Sequence, residues 1–501
     1  MSLIKCVKIP EELVKIGGIF RKNGFKAYLV GGAVRDMILG KKGHDYDLAT
    51  NATPRQVMGI FKKVIPTGIA HGTVTIHIFG MQIETTTFRT EADYTDGRHP
   101  DSIKFATTIE EDLSRRDFTM NAIAADLESG ELTDPFDGQK DIRNKIIRTV
   151  GEPQERFAED GLRPVRAVRF SGQLGFSIEE KTLAALSEPE VLKKTASISV
   201  ERFRDEFCKM LLCERPSDSL KLLEKTGILN IFIPEFAVCR NCSQKDSRGF
   251  HEFDVADHIL YACDGASTPA ISAGTASGSR FPYTTLFRSV WFILYACDGA
   301  QKGNLEVKLA AFYHDIGKPE CRTTEIVDGE ERVHFHGHET KSAQKALASM
   351  TALKFPNETI KNVVHLVQEH MFYYEHSWSD AAVRRFIIRV KPENIENLFA
   401  LRLADIYGMH RTPLKEGSPA WNILLEFRKR IESVLEKKSA LGIKDLAVNG
   451  RDLMQEGIPS GKAMGMILNE LFETVTESPA MNEKEKLLAL AKNIFREKFM
   501  A

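Results

Sequence analysis

Val30-Gly31-Gly32-Ala33-Val34-Arg35-Asp36 is followed by Asp45-Tyr46-Asp47-Leu48-Ala49-Thr50, and these two stretches decide how the chain is read. Phe25 to Val30 reads as a strand running into the glycine pair, and Val34 to Leu39 as a helix whose N-terminus faces the turn. Asp45 to Ala49 reads as the next strand. On a strand, residues two apart point to one face, so Asp45 and Asp47 are expected to present two carboxylates side by side. Hard oxygen ligands of this kind suit Mg²⁺ and phosphoryl or nucleotidyl transfer, and a glycine turn can cradle phosphates with its amides. An Asp-x-Asp pair also occurs as a turn or cap, and that alternative stays open on these residues alone.

Working outward, Glu11 to Asn23 has helical spacing, and Thr53-Pro54 opens another helix with Thr53 as cap. Thr73 to Phe79 and Met81 to Phe88 alternate as a hairpin turning at Gly80. Glu84, on the second of these strands, is the candidate third carboxylate. The opening 150 residues therefore form a unit mixing helices and strands. From Glu155 onward the spacing is helical, with Arg202 to Leu212 and Ser217 to Thr226 as clear segments. The fold class expected is α+β: a head with a mixed β-sheet, then an all-helical remainder.

The chain has 501 residues, 43% hydrophobic and 27% charged, with a net charge of −1. That length predicts two to four domains. No apolar run is long enough for a membrane span and the N-terminus lacks a signal-peptide pattern, so a cytoplasmic protein is expected. Eight cysteines in this length do not make a disulfide framework. Net charge excludes no partner, because a basic patch can be local; Arg115-Arg116, Arg163 to Arg169 and Arg384-Arg385 with Arg389 are such clusters.

Five ordered blocks carry a family resemblance. Beside the two stretches above stand Arg115-Arg116-Asp117-Phe118-Thr119-Met120-Asn121-Ala122, Asp134-Pro135-Phe136-Asp137-Gly138, and Glu159-Asp160-Gly161-Leu162-Arg163-Pro164-Val165-Arg166-Ala167-Val168-Arg169-Phe170. Together they resemble the class II tRNA nucleotidyltransferase and poly(A) polymerase family, with similarity running to about residue 235. The resemblance implies that Asp45, Asp47 and Glu84 hold catalytic Mg²⁺. Gly32 and Arg35 would face the triphosphate, and Arg116 and Asp117 would distinguish ribose from deoxyribose. Asp160 and Arg163, spaced to share a helix face, would act as a protein template for the incoming base. Arg166 and Arg169, on the same face, would meet triphosphate or RNA. Each basic cluster also reads, in isolation, as a solvated helix face or a surface ion pair.

Thr67-Gly68-Ile69-Ala70-His71-Gly72-Thr73-Val74 resembles the tRNA-directed branch rather than the poly(A) branch. Phe88 to Pro100 forms a polar, turn-rich loop of the length that goes with addition of the terminal A. The implied function is template-free addition of CCA to tRNA 3′ ends from CTP and ATP, with tRNA as partner. The alternatives are a poly(A) polymerase of the same superfamily, or a metal phosphohydrolase whose head binds nucleotide or RNA.

A second constellation is His314-Asp315 within Phe312 to Pro319, with His258 upstream and Asp405 downstream. It resembles the metal site of HD-type phosphohydrolase domains, which implies a transition metal activating water. His338 and His370 could extend it to a second metal. One octapeptide, Ile-Leu-Tyr-Ala-Cys-Asp-Gly-Ala, occurs at 259–266 and again at 293–300, flanking a low-complexity stretch. Residues 267–300 are therefore read as an artefactual insertion, with a disordered linker as the alternative, and are given no function. It lengthens the separation of His258 and His314 from 22 to 56 residues. In Val448 to Met454 and Gly457 to Gly465, glycine turns precede a helix. The resemblance makes this a tRNA-gripping tail with Lys462 at a helix start; an ordinary helical hairpin reads equally well. The domains expected are 1–150 (head), 151–245 (neck and body), 246–411 (HD-like) and 412–501 (tail).

Overall fold

The computed structural model describes residues 3–41, 45–92, 102–266, 304–437 and 441–500. The suspected insertion at 267–300 and most of the turn-rich loop before Pro100 lie outside the described residues. The chain divides into two compact units: residues 1–237 with 352–354, and residues 238–351 with 355–501. The division after residue 237 falls inside the region 151–245 expected as neck and body.

The first unit begins with α1 (Glu11–Lys22), β1 (Ala27–Val30), α2 (Gly32–Ile38), β2 (Asp47–Thr50) and α3 (Pro54–Ile60). Thr53 caps α3 reciprocally with Gln56, a capping box that starts the helix where Pro54 already sets φ. Then follow β3 (Val64–Gly68), β4 (Thr73–Ile78), β5 (Met81–Thr87), β6 (Arg89–Ala92), β7 (Ser102–Phe105), α4 (Ile109–Ser114), β8 (Ala124–Asp126) and β9 (Leu132–Thr133). The sheet order is β3-β4-β5-β2-β1-β8-β9. Only β2 and β5 pair in parallel; the other neighbours are antiparallel, so the sheet is mixed, as expected. The β4–β5 hairpin turns at Phe79 and Gly80, both with positive φ, which matches the right-handed twist of the strands. Val30, Ala49, Phe88, Ile109, Leu113, Ala122, Ala124 and Val150 form a core on one face of this sheet.

The chain continues through α5 (Gly138–Asn144), β10 (Ile146–Ile147), α6 (Pro153–Glu159), α7 (Leu162–Leu174) and β11 (Ser177–Ile178). Three sequence expectations need correcting here. Asp45 lies at a bend before β2, which starts at Asp47, so the strand pleat does not align the two aspartates. Phe88 to Pro100 is not turn throughout, since β6 pairs with β7. The remainder is not all-helical either: β10 pairs in parallel with β11, and a hairpin joins Thr323–Val327 to Glu330–His334. Asp328-Gly329, both at positive φ, makes that turn. The hairpin's largely polar strands carry no helical period, and its pairing completes a backbone that periodicity alone left unassigned.

The second unit is otherwise helical. Helices Val255–Gly265, Leu305–Tyr313 and Ile395–His410 pack on one another. Close approach relies on glycine: a methyl at Gly408 would come within 2.8 Å of the His258 carbonyl, and one at Gly265 within 2.6 Å of Tyr407 Cβ. The C-terminal helices Gly450–Gln455, Lys462–Glu477 and Lys484–Phe499 close around Leu453, Ile467, Leu471 and Leu487. Among the described residues no helix is long and apolar enough to cross a membrane.

Candidate functional site

In the first unit, the parallel register of β2 and β5 sets Asp47 directly opposite Glu84. Asp47 reaches solvent yet is hemmed in by protein. Burial raises its carboxyl above the ordinary range, and the neighbouring charges of Glu84 and Asp45 push the same way, against the pull of Arg116. The head thus brings three acids near one another beside Arg116, and an all-oxygen donor set of this kind fits Mg²⁺. Gly31 has φ 72°, open to glycine at little cost, and a methyl there would sit 3.3 Å from Arg116 Nη1 and 4.0 Å from Asp47 Oδ2. The turn thus gives room for a guanidinium beside the acids. A methyl at Gly32 would make only ordinary contact.

Behind the acids runs a polar network. Asp112, wholly buried at the end of α4, receives Arg115 at 2.9 Å and Arg116 at 3.2 Å, which holds it below its usual range despite burial. Arg35 is also buried. It donates to Asp36 and, through Nη1, to Asn121 Oδ1 at 2.9 Å. Asn121 in turn donates to Asp117 Oδ1 at 3.1 Å, and Arg166 pairs with Asp117 Oδ2 at 2.6 Å. Asn121 has no distinctive local signal in the sequence.

Burial alone would raise the Asp117 carboxyl, but Arg166 and Asn121, with help from Arg163, hold it down at about 2. A depressed carboxyl contributes stability that is complete above its unfolded value near 4 and is lost as pH falls through its folded value. We therefore expect Asp117→Asn to cost about 2 kcal/mol at pH 7 and only about 0.4 kcal/mol at pH 2, where the group is half protonated. Urea midpoints measured against pH on both proteins check this.

The predicted template is arranged differently from its sequence reading. Asp160 is not on a helix: it sits between α6 and α7 with φ −138° and ψ 111°, so it does not share a helix face with Arg163. Gly161 itself keeps helical angles (φ −62°, ψ −8°) and packs so closely that a methyl there would lie 2.4 Å from the Lys194 carbonyl oxygen. Gly161→Ala is expected to cost about 1–3 kcal/mol by overpacking against backbone, read as a lowered thermal midpoint. Asp160 is gripped through both oxygens by Arg202. Arg163 is buried and donates to Glu159 and to the carbonyls of Arg156 and, at 2.9 Å, Arg115. Arg169 is turned away from any open surface: it pairs with Glu206 and Gln173 and stacks 3.7 Å from the Phe170 ring centroid. Burial lowers its pKa from the ordinary guanidinium value. Helix α7 thus packs Arg169 against Glu206 and Gln173. Arg202 and Glu206 were not singled out in the sequence; their partners are some forty residues away, beyond any spacing rule.

The second unit gathers His258, His314, Asp315 and Asp405 so that their ligand atoms lie within 4.8 Å of one another, and Asp315, His338 and His370 likewise. All six are buried. His258 Nε2 lies 3.0 Å from His314 Nε2, and His338 Nε2 lies 3.3 Å from His370 Nε2. The Nδ1 atoms of His314, His338 and His370 face the carbonyls of Ala311, Phe335 and Val367 at 2.7–2.8 Å. Such bonds leave Nε2 as the inward-facing nitrogen, the arrangement of metal-ligating imidazoles. Asp315 Oδ2 lies 3.0 Å from His258 Nε2 and Oδ1 3.2 Å from His338 Nε2, so each oxygen serves one group. Neither oxygen receives a well-directed hydrogen bond, nor does His258 Nδ1. Close, poorly directed contacts among buried ligand atoms fit a cation at their centre. Gly317 makes the approach possible, since a methyl there would meet Ser342 N at 2.5 Å. Two neighbours escaped the sequence reading: Lys318, 2.7 Å from both Asp315 Oδ2 and Gln244 Oε1, and His251, edge-on to the His258 ring.

A mixed sheet presenting paired acids under an arginine defines a nucleotidyltransferase head, and the poly A polymerase head domain family matches residues 27–148. Residues 175–239 match the probable RNA and SrmB-binding site of polymerase A, and 337–491 match tRNA nucleotidyltransferase domain 2. The CCA-adding enzyme of Ligilactobacillus salivarius is 31% identical over 494 residues, 98% of each chain. That of Lactobacillus helveticus is 46% identical over 239 residues, 47% of this chain and 59% of the other. The match thus spans about half to three-fifths of the length of the first such relatives. The crystal structure of the Bacillus stearothermophilus CCA-adding enzyme in complex with CTP is similar at 28% identity and TM-score 0.68, covering 97% of this chain and 98% of the other. The chain belongs to the class II CCA-adding enzyme family.

Proposed function

We propose that this protein adds C, C and A stepwise to tRNA 3′ ends from CTP and ATP, without a nucleic-acid template, releasing pyrophosphate. The observation that carries the reading is the register of Asp47 against Glu84, beside Arg116, with Asp117 and Arg115 tied to α7 through Arg166 and Arg163. Mg²⁺ held by Asp45, Asp47 and Glu84 would neutralise the triphosphate and activate the RNA 3′-hydroxyl. Arg116, whose charge acts on Asp47, would add positive charge beside the same phosphates. Asp160 and Arg163, at the α6–α7 break, serve as base template. Cytosine and adenine both offer an amino donor beside an acceptor, which a carboxylate and a guanidinium match. The exposed Lys462, at the start of Lys462–Glu477, is a candidate contact for tRNA phosphate. Recognition of tRNA through shape and backbone suits a partner class that shares fold more than sequence.

The test is incorporation. A tRNA trimmed of its CCA end should gain two residues from CTP alone and a third when ATP is added. A poly(A) polymerase would instead extend the RNA repeatedly with ATP alone.

The buried histidine–aspartate groups of the second unit favour a second reading beside the first: an HD-type phosphohydrolase centre. His258, His314, Asp315 and Asp405 would hold one transition metal and Asp315, His338 and His370 a second. The bound metal would supply an activated water, and Lys318 would balance the charge of Asp315. Release of inorganic phosphate from phosphomonoesters or cyclic phosphodiesters, lost in His314→Ala and kept in Asp47→Ala, tests it.

A further inference from the structure

The Asp160 carboxylate is already positioned before any nucleotide is considered. Arg202, on the helix Val200–Leu211, donates Nη1 to Oδ1 at 3.0 Å and Nη2 to Oδ2 at 2.7 Å. The backbone N–H of Leu162 donates to the same Oδ1 at 2.9 Å. Both side chains are about one-fifth exposed, at 20% and 19%. A carboxylate offers about four acceptor lobes. The fork takes one on each oxygen and Leu162 takes the second on Oδ1, which leaves one free lobe, on Oδ2. A bidentate guanidinium also fixes the plane of the carboxylate, which a single point charge cannot do.

We propose that Arg202 is a specificity-determining positioning residue, whose two-point grip on Asp160 aims one remaining acceptor lobe at the amino group of an incoming cytosine or adenine. The proposal rests on the reading of Asp160 as base template. Its chemical logic is discrimination by mismatch of acceptors. Cytosine N4 and adenine N6 bring hydrogens to that lobe, whereas uracil O4 and guanine O6 bring lone pairs. A carboxylate locked in plane rejects them, because it offers only lone pairs and cannot swing aside to admit a bridging water. A carboxylate freed of its fork can swing aside. The other arginines of α7 hold other acids: Arg166 pairs with Asp117 and Arg169 with Glu206.

The experiment compares the full-length chain with Arg202→Gln and Arg202→Lys. CTP addition to a trimmed tRNA and ATP addition to a tRNA ending in CC are measured at steady state, with UTP and GTP as non-cognate nucleotides. Arg202→Gln is expected to raise KM for both CTP and ATP on the order of tenfold with kcat changed much less, and to raise UTP use relative to CTP by a similar factor. Arg202→Lys is expected to recover part of the KM but not the discrimination. Unchanged KM values and an unchanged UTP-to-CTP ratio in folded Arg202→Gln protein overturn the proposal and leave the pair a brace between helices. If Arg202→Gln is unfolded at the assay temperature, Arg202→Lys decides, and wild-type discrimination in it overturns the proposal. A wild-type chain that adds neither nucleotide sinks the functional reading itself, and that outcome is visible in the control.

Discussion

Asp47→Ala is expected to reduce CMP incorporation into trimmed tRNA on the order of a thousandfold while leaving the thermal midpoint unchanged or slightly raised. The two halves of this expectation come from one cause. Asp47 faces Glu84 across the parallel pair β2–β5, with Asp45 close by. Without a cation these like charges repel and oppose folding, so removing one acid relieves strain. With a cation they are the ligands, so removing one acid removes the charge that neutralises the triphosphate. Mg²⁺ should therefore raise the midpoint of the wild-type chain more than that of Asp47→Ala. A loss of activity accompanied by a large drop in stability would instead mark Asp47 as a structural residue and sink its assignment to the metal. Phosphate release assigned to the second unit should be untouched by this change.

The second large effect concerns the buried centre of the second unit. His314→Ala is expected to abolish transition-metal retention after gel filtration, read as metal per chain, while CMP incorporation continues. The charge state explains a further, pH-dependent signature. Burial on its own would lower the His314 pKa, but Asp315 and Asp405 override it and push it up to about 10. Both of those carboxyls are held well below their usual range; burial opposes this, and the surrounding imidazoles outweigh it, with Lys318 adding to the pull on Asp315 and Arg402 on Asp405. Free of metal, His314 is thus an imidazolium at neutral pH. Its stabilising contribution is complete below the unfolded value near 6.5 and is lost as pH rises through about 10. Metal must displace that proton to reach Nε2. Apparent metal affinity should then rise about tenfold per pH unit between pH 7 and 9, with about one proton released per metal, seen as a buffer-dependent heat in calorimetry. A pH-independent affinity would refute this.

Much of the head was legible locally. The Gly31-Gly32 turn, the α2 start, the Thr53 cap and the β4–β5 hairpin each depend on residues within a few positions of one another, and their patterns predict what the structure contains. Asp47 and Glu84 were each legible as acids on strands, but their pairing was not, because the parallel register of β2 and β5 is set by packing. The same limit explains the template. Spacing placed Asp160 and Arg163 on one helix face, yet Asp160 takes extended backbone angles between α6 and α7. Arg202 and Glu206 then take up charges that no window around residues 159–170 contains. In the second unit, the order His258, His314, Asp315, Asp405 was readable without knowing that Asp315 turns one oxygen to each of two histidine groups.

By itself, then, the sequence determined the first three helices of the head, the strands β1, β4 and β5, the acids and arginines available for nucleotide chemistry, and the histidines and aspartates available to a metal. Tertiary structure alone decided which acid meets which arginine, that Asp160 is held by Arg202, and that Arg169 is withdrawn into Glu206. The reason is physical. Turns, caps and strand alternation are settled by neighbours along the chain. The partner of a buried charge is settled by which distant elements exclude water around it, since an unpaired charge there is too costly to leave.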